Sequence, residues 1–243
     1  MTRILLLGGT TEARRMADAL AGMDAIYSLA GRTVQPLAMP IPMRIGGFGG
    51  TMGLADYLRS NGVTHVIDAT HPFAARISAN AHAACDVLGL PLIRLVRPPW
   101  QGDGWLHVPD MAGAAAALPR DPARVFLAIG RMHLSEFAHL PHRWLLRLVD
   151  APDAPPLPDA QVVIARGPFA VEDDLDLMRR HGTTHLVAKN SGGAGAEAKL
   201  HAARALGVQV VMIDRPVLPP CPQAAHPAQV LDWLHHAPAD LGA

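Results

Sequence analysis

Gly62-Val63-Thr64-His65-Val66-Ile67-Asp68-Ala69-Thr70-His71-Pro72-Phe73 decides the fold, because the chain contains this passage twice. The second copy reads Gly182-Thr183-Thr184-His185-Leu186-Val187-Ala188-Lys189-Asn190-Ser191-Gly192-Gly193. Gly62, Thr64 and His65 fall on Gly182, Thr184 and His185. After a short contraction, Gly89, Arg97, Pro98 and Pro109 fall on Gly207, Arg215, Pro216 and Pro227. Apolar run, loop, alanine-rich helical stretch and second apolar run make one right-handed β-α-β unit. Two such units predict an α/β chain of two Rossmann-like halves, each a mainly parallel sheet flanked by helices, with a ligand cleft between them. The copies differ most at Asp68–Ala74 and Lys189–Gly195. Both loops leave the carboxyl ends of strands, where open parallel sheets bind ligands.

Working outward, strands are expected at Arg3–Gly8, Ala25–Leu29, Met43–Gly46, His65–Asp68 and Leu92–Arg97, with helices at Glu12–Leu20, Met52–Ser60 and Ile77–Leu88. This alternation means a doubly wound sheet. The run Pro98-Pro99-Trp100-Gln101-Gly102-Asp103-Gly104 breaks the pattern and divides the chain into residues 1–100 and 101–243. The second part adds strands at Arg124–Ile129, Trp144–Val149 and Gln161–Ala165 and a helix at Val171–His181. A connector at Ala151–Asp159 holds Pro152, Pro155, Pro156 and Pro158. The last helix, Pro227–His236, either closes the second half or crosses to the first.

The chain has 243 residues, half of them apolar and 17% charged, which is globular composition. Its 21 basic and 21 acidic residues cancel, which speaks against wholesale binding to nucleic acid or an anionic membrane. No stretch approaches the roughly 18 apolar residues of a membrane span. Ile4–Leu7 runs straight into Gly8-Gly9 and reads as a strand rather than a signal peptide, so a cytoplasmic setting is expected. Cys85 and Cys221 form no disulfide framework and no metal spacing; Cys85, among alanines, reads as core. No metal site is expected.

Gly8-Gly9-Thr10-Thr11-Glu12 places glycines and hydroxyls where a helix begins, a setting that favours phosphate; Thr10 or Thr11 also suits an N-cap. At the end of the second strand an NAD-binding fold carries an acid. Here Ser28, Gly31 and Arg32 stand there, and an arginine at that place either pairs with a 2′-phosphate, favouring NADPH over NADH, or is a solvated surface residue. Gly46-Gly47-Phe48-Gly49-Gly50 lets backbone approach a ligand closely, with Phe48 either covering an adenine or pyrophosphate or folded into the core. Asp68 and His71 both titrate beside Pro72, which fixes the backbone. His65 and His185, at equivalent places, read as structural, and His139, His142, His235 and His236 as surface residues. Lys189-Asn190-Ser191-Gly192, with Arg131, Arg147, Arg166 and Lys199, suits an anionic, polycarboxylate ligand. Walker A, H-E-x-x-H, G-x-S-x-G and Tyr-x-x-x-Lys patterns are absent.

Taken together and in order, Leu7–Ala13, Ala30-Gly31-Arg32-Thr33, Gly46–Gly50, Asp68-Ala69-Thr70-His71-Pro72-Phe73-Ala74, Arg97-Pro98-Pro99-Trp100, Gly130-Arg131, Arg166-Gly167-Pro168-Phe169 and Lys189-Asn190-Ser191-Gly192-Gly193 resemble the precorrin-6A reductases of cobalamin biosynthesis. Ala188 departs from the threonine expected before Lys189 in many relatives. The resemblance implies NADPH-dependent reduction of the C18–C19 double bond of precorrin-6A to precorrin-6B. It implies NADPH on Gly9, Thr10, Thr11, Glu12, Ser28, Gly31, Arg32, Gly47, Phe48, Gly49 and Thr70, with His71 beside them. It places the tetrapyrrole on Arg131, Arg166, Lys189, Asn190, Ser191 and Gly192. His71 and Lys189 are the candidate proton donors, solvent and the ring nitrogens of the substrate being the alternatives. Product hand-over to other cobalamin enzymes would follow. The rival readings are a reductase of the cobalt-containing macrocycle and a non-enzymatic NADPH sensor.

Overall fold

The computed structural model describes residues 2–31 and 37–236. The chain divides into two units, the first running to Pro98 and resuming at Val217, the second spanning Pro99–Pro216. Among the described residues no helix is long and apolar enough to cross a membrane.

The first unit begins with β1 (Ile4–Leu7), α1 (Thr11–Ala19), β2 (Ala25–Leu29), β3 (Met43–Ile45), α2 (Thr51–Ser60), β4 (His65–Asp68), α3 (Ala75–Leu88) and β5 (Leu92–Leu95). The second unit holds β6 (Leu106–Val108), α4 (Met111–Ala116), β7 (Arg124–Ala128), β8 (Arg143–Leu148), β9 (Ala160–Ile164), α5 (Val171–His181), β10 (His185–Lys189), α6 (Ala198–Leu206) and β11 (Gln209–Ile213). The chain then returns to the first unit with β12 (Gln223–Ala224) and α7 (Pro227–His236).

Each unit is one parallel sheet with the same strand order. The first reads β3-β2-β1-β4-β5-β12 and the second β9-β8-β7-β10-β11-β6. By position both are the 3-2-1-4-5-6 order of a dinucleotide-binding sheet. Strands β1 and β4 are buried at every residue, the unbroken apolar pattern of a parallel sheet covered on both faces.

The repeat seen in the sequence is a repeat of hydrogen bonds. Thr64 N donates to Arg3 O at 2.8 Å and Thr184 N to Arg124 O at 2.9 Å. Each threonine hydroxyl donates to the same carbonyl at 3.1 Å. Each hydroxyl also lies against the Nδ1 of the following histidine, 2.9 Å from His65 and 2.8 Å from His185. Gly89 and Gly207 close α3 and α6 in the left-handed conformation, both at φ 65°.

The sixth strand differs from the expected division at residue 101. The proline-rich stretch ends at Pro222, where the chain enters the first sheet: Arg94 N and Val96 N donate to Pro222 O and Ala224 O, both at 2.9 Å. Val230 and Leu234 of α7 then join the core of Ile4, Leu6, Met16, Ile93 and Leu95. The stretch from Val217 therefore belongs with the first unit, and the last helix crosses to it. Its counterpart β6, which follows β5 in sequence, pairs with β11. These strands are two and three residues long, too short for period-2 patterning to announce them.

Leu234→Ala, at the interior face of α7, is expected to lower stability by about 2–3 kcal/mol in chemical denaturation. Asp232→Ala, on the exposed face, should change it by less than about 0.5 kcal/mol.

Candidate functional site

Strand order reverses between β1 and β4 in the first unit and between β7 and β10 in the second. In open parallel sheets such a reversal point, at the carboxyl ends of the strands, is where ligands bind.

In the first unit the β1 loop is shaped by close approach. A Cβ at Gly8 would lie 2.2 Å from the Tyr27 ring, whereas one at Gly9, whose φ is +116°, would meet no described residue within 4 Å. Gly9 N donates to the Tyr27 hydroxyl at 3.0 Å. Thr10 is the N-cap of α1: its Oγ1 accepts from Ala13 N at 3.0 Å and donates to Ala69 O at 2.8 Å, tying the β1 loop to the β4 loop. Thr11 is exposed on the first turn, and Glu12 pairs with Arg97 at 2.6 Å.

At the ends of β2 and β3 the organising residue is Arg44, which the sequence reading passed over. It donates to Ser28 Oγ at 2.8 Å, Gly46 O at 3.0 Å and Gly47 O at 3.2 Å. Its Cζ lies 3.9 Å from the Phe48 ring centroid. Phe48 in turn meets Tyr57 edge-on at 5.1 Å and packs against the core of Leu5, Leu54 and Leu58. Of the two roles open to Phe48, the structure shows this packing. Gly49 has φ +80° and Gly31 φ +79°. Arg32 lies outside the described residues.

The β4 loop is built on Asp68, whose carboxylate is buried. Its Oδ1 accepts from Thr70 N at 3.1 Å and Thr70 Oγ1 at 2.7 Å, and its Oδ2 lies 3.6 Å from Nε of the buried Arg94. His71 Nδ1 accepts the Phe73 N–H at 3.2 Å, which leaves Nε2 as the nitrogen that carries a proton in the neutral ring. Nearby, burial pushes the Cys85 thiol up to about 12, in keeping with a packing role.

In the second unit Lys189 ends β10, and burial lowers its pKa. The buried Asn190 amide is spent on the main chain of Trp100: Oδ1 accepts its N–H at 2.8 Å and Nδ2 donates to its carbonyl at 3.1 Å. Trp100 Nε1 donates to Gly193 O at 3.1 Å, and Arg215 donates to Asn190 O at 2.9 Å and Ser191 O at 3.2 Å. Gly192 is buried at φ +69°. The loop is thus braced from two sides, a role the motif did not reveal because Trp100 lies far away in sequence.

Arg131 is exposed at the turn after β7, and Arg166 is exposed and paired with Asp150 at 3.0 Å. Two basic residues expected near a ligand are engaged inside the unit instead. Arg147 pairs with the buried Asp174, and the buried Lys199 donates to Ala196 O over the Trp100 ring. His142 is another correction: it is buried rather than on the surface, accepts from Ala123 N at 3.1 Å and meets Trp144 edge-on. It ends up inside because Trp144 follows it into the sheet, and burial lowers its pKa, as it does for His181 and His185.

Two outcomes are expected of this unit. Asn190→Ala leaves the buried Trp100 N–H and carbonyl unpaired and should cost about 2–4 kcal/mol, read by tryptophan fluorescence during denaturation. Histidines held neutral in the fold take up protons only on unfolding, so stability should be full above about pH 6.5 and fall as pH drops below it. A thermal midpoint that held constant or rose on acidification would contradict this, and His142→Gln should soften the fall.

The family model for precorrin-6x reductase CbiJ/CobK matches residues 3–235. A precorrin-6A reductase of Rhodobacter capsulatus is 59% identical over 250 positions, covering 100% of this chain and 98% of the relative. One from Rhodococcus erythropolis is 50% identical, covering 96% and 98%. A cobalt-precorrin-6A reductase of Priestia megaterium is 29% identical, covering 88% and 90%. A solved structure described as CobK precorrin-6A reductase matches with a TM-score of 0.91 at 58% identity, covering 97% of each chain. These matches take in both braced loops and both sheets, and the chain belongs to the precorrin-6x reductase CbiJ/CobK family.

Proposed function

We propose that this protein reduces precorrin-6A to precorrin-6B in cobalamin biosynthesis, taking the hydride from NADPH and adding two hydrogens across the C18–C19 bond of the metal-free macrocycle. One observation carries this reading. Relatives named precorrin-6A reductase are 45–59% identical over nearly the whole chain, whereas those named cobalt-precorrin-6A reductase are 27–29% identical. The two free cysteines fit a reducing, cytoplasmic setting.

The first unit fits a dinucleotide. Gly9 offers an open, positive-φ backbone at the start of α1, and the first turn leaves the N–H groups of Thr11 and Glu12 outside the helix's own ladder. In this reading Gly9 to Glu12 receive the pyrophosphate, with Thr10 fixing the turn. Ser28, Gly31 and Arg32 take the adenosine ribose and its 2′-phosphate, and Gly47 to Gly49 and Thr70 line the remainder. NADPH, when bound, supplies the hydride.

The second unit offers Arg131, Arg166 and Lys189 to the substrate's carboxylates, while Asn190, Ser191 and Gly192 hold Lys189 in place. Two groups suit proton delivery. His71 keeps its proton on Nε2, and Lys189, its pKa lowered by burial, gives up a proton more readily than an exposed lysine.

The test is anaerobic incubation with metal-free precorrin-6A and either NADPH or NADH, following nicotinamide absorbance and product mass together. Oxidation of NADPH with a matching gain of two hydrogens, weak with NADH, is the expected result. Turnover of only the cobalt-containing macrocycle would favour the rival reductase, and NADPH binding with neither substrate reduced would favour a sensor.

A further inference from the structure

Between Asp24 and Asp56 the chain carries no carboxylate, and its only charged residues there are Arg32 and Arg44. This stretch supplies most of β2, all of β3 and the glycine loop. In a 3-2-1-4-5-6 sheet the end of the second strand is where an acid takes the adenosine ribose of NAD, and where an arginine accommodates a 2′-phosphate instead.

Arg44 stands directly opposite Ser28 in the parallel register of β2 and β3. Its Nη1 donates to Ser28 Oγ and Gly46 O and its Nη2 to Gly47 O, while the Phe48 and Tyr57 rings lie 3.9 and 4.9 Å from its Cζ. All these partners are neutral, and among the described residues no carboxylate pairs with it. A guanidinium has five N–H donors, so the contacts that orient it leave donors over. It is half-buried, and its charge is screened less than that of a surface arginine. Among the described residues, nothing would lie within 4 Å of a Cβ at Gly47, Gly49 or Gly50.

We propose that Arg44 is a specificity-determining residue of the dinucleotide site. Its guanidinium, oriented by Ser28 and the Gly46 and Gly47 carbonyls, shares the 2′-phosphate assigned above to Arg32 and sets the preference of the first unit for NADPH over NADH. This rests on the NADPH reading above. It differs from a purely architectural role in one measurable respect. A residue that only shaped the loop would affect both dinucleotides alike, whereas one that meets the 2′-phosphate affects NADPH alone.

The experiment titrates the intact wild-type protein, Arg44→Gln and Arg44→Lys with NADPH and with NADH, following nicotinamide fluorescence at two salt concentrations, with thermal melts to verify folding. Arg44→Gln is expected to weaken NADPH about 10- to 100-fold, the loss of a charge-assisted contact, to leave NADH nearly unchanged, and to flatten the salt dependence of NADPH binding. Arg44→Lys keeps the charge without the fork and should retain a reduced preference. Parallel weakening of both dinucleotides in either variant, or an unaltered preference in Arg44→Gln, would overturn the proposal and leave the cofactor reading standing. A wild-type protein that binds neither dinucleotide would overturn both.

Discussion

Two main-chain hydrogen bonds, from Arg94 N to Pro222 O and from Val96 N to Ala224 O, set the architecture of the first unit. Without them β5, paired only with β4, would be a sheet edge with its outward N–H and carbonyl groups unpaired, although all its side chains are buried. The strand that covers it comes from beyond the second unit, so the chain enters residues Pro99–Pro216 and leaves them again before the first sheet is complete. The second sheet has the complementary need and meets it with β6, which follows β5 in sequence. Each repeat thus supplies five strands of its own sheet and the sixth of the other.

With the frame fixed in this way, the loops at the strand reversal can be irregular and still well placed. Thr10 ties the β1 loop to the β4 loop, and Asn190 ties the β10 loop to Trp100. Both residues belong to motifs that read as ligand-binding, yet their polar atoms hold neighbouring backbone. In such loops the side chains hold backbone in position, and backbone N–H groups with a few cations remain for a ligand. Asp68 works the same way, accepting two hydrogen bonds from Thr70 immediately before His71.

Much of the frame was legible in the sequence, because the repeat reports a hydrogen-bonded corner. Gly62, Thr64 and His65 return as Gly182, Thr184 and His185, and the corner needs a positive φ, a hydroxyl and a ring nitrogen in that order. The helix Val171–His181 was readable to the residue from its acidic start and its Gly182 stop. The destination of α7 was not, because amphipathic spacing shows that a helix buries one face and not which sheet receives it. Arg44 escaped notice for a related reason. It stands alone between apolar residues in a three-residue strand, and only the register opposite Ser28 shows what it reaches.

The duplicated frame also permits a comparison at one position. Register through β1 and β7 makes Arg147 of β8 the counterpart of Ser28 of β2. In the second unit the cation therefore sits on the strand itself, and the structure neutralises it: Arg147 pairs with the buried Asp174 and lies 4.0 Å from the Phe169 ring centroid. Burial raises the Asp174 pKa even with that guanidinium beside it. In the first unit the cation reaches in from the neighbouring strand, meets a serine, and finds no carboxylate among the described residues. The same corner of the same frame is closed electrostatically in one copy and left positive in the other. A duplicated sheet can hold two different ligands on these terms, because the distinction lies in which cations are already paired.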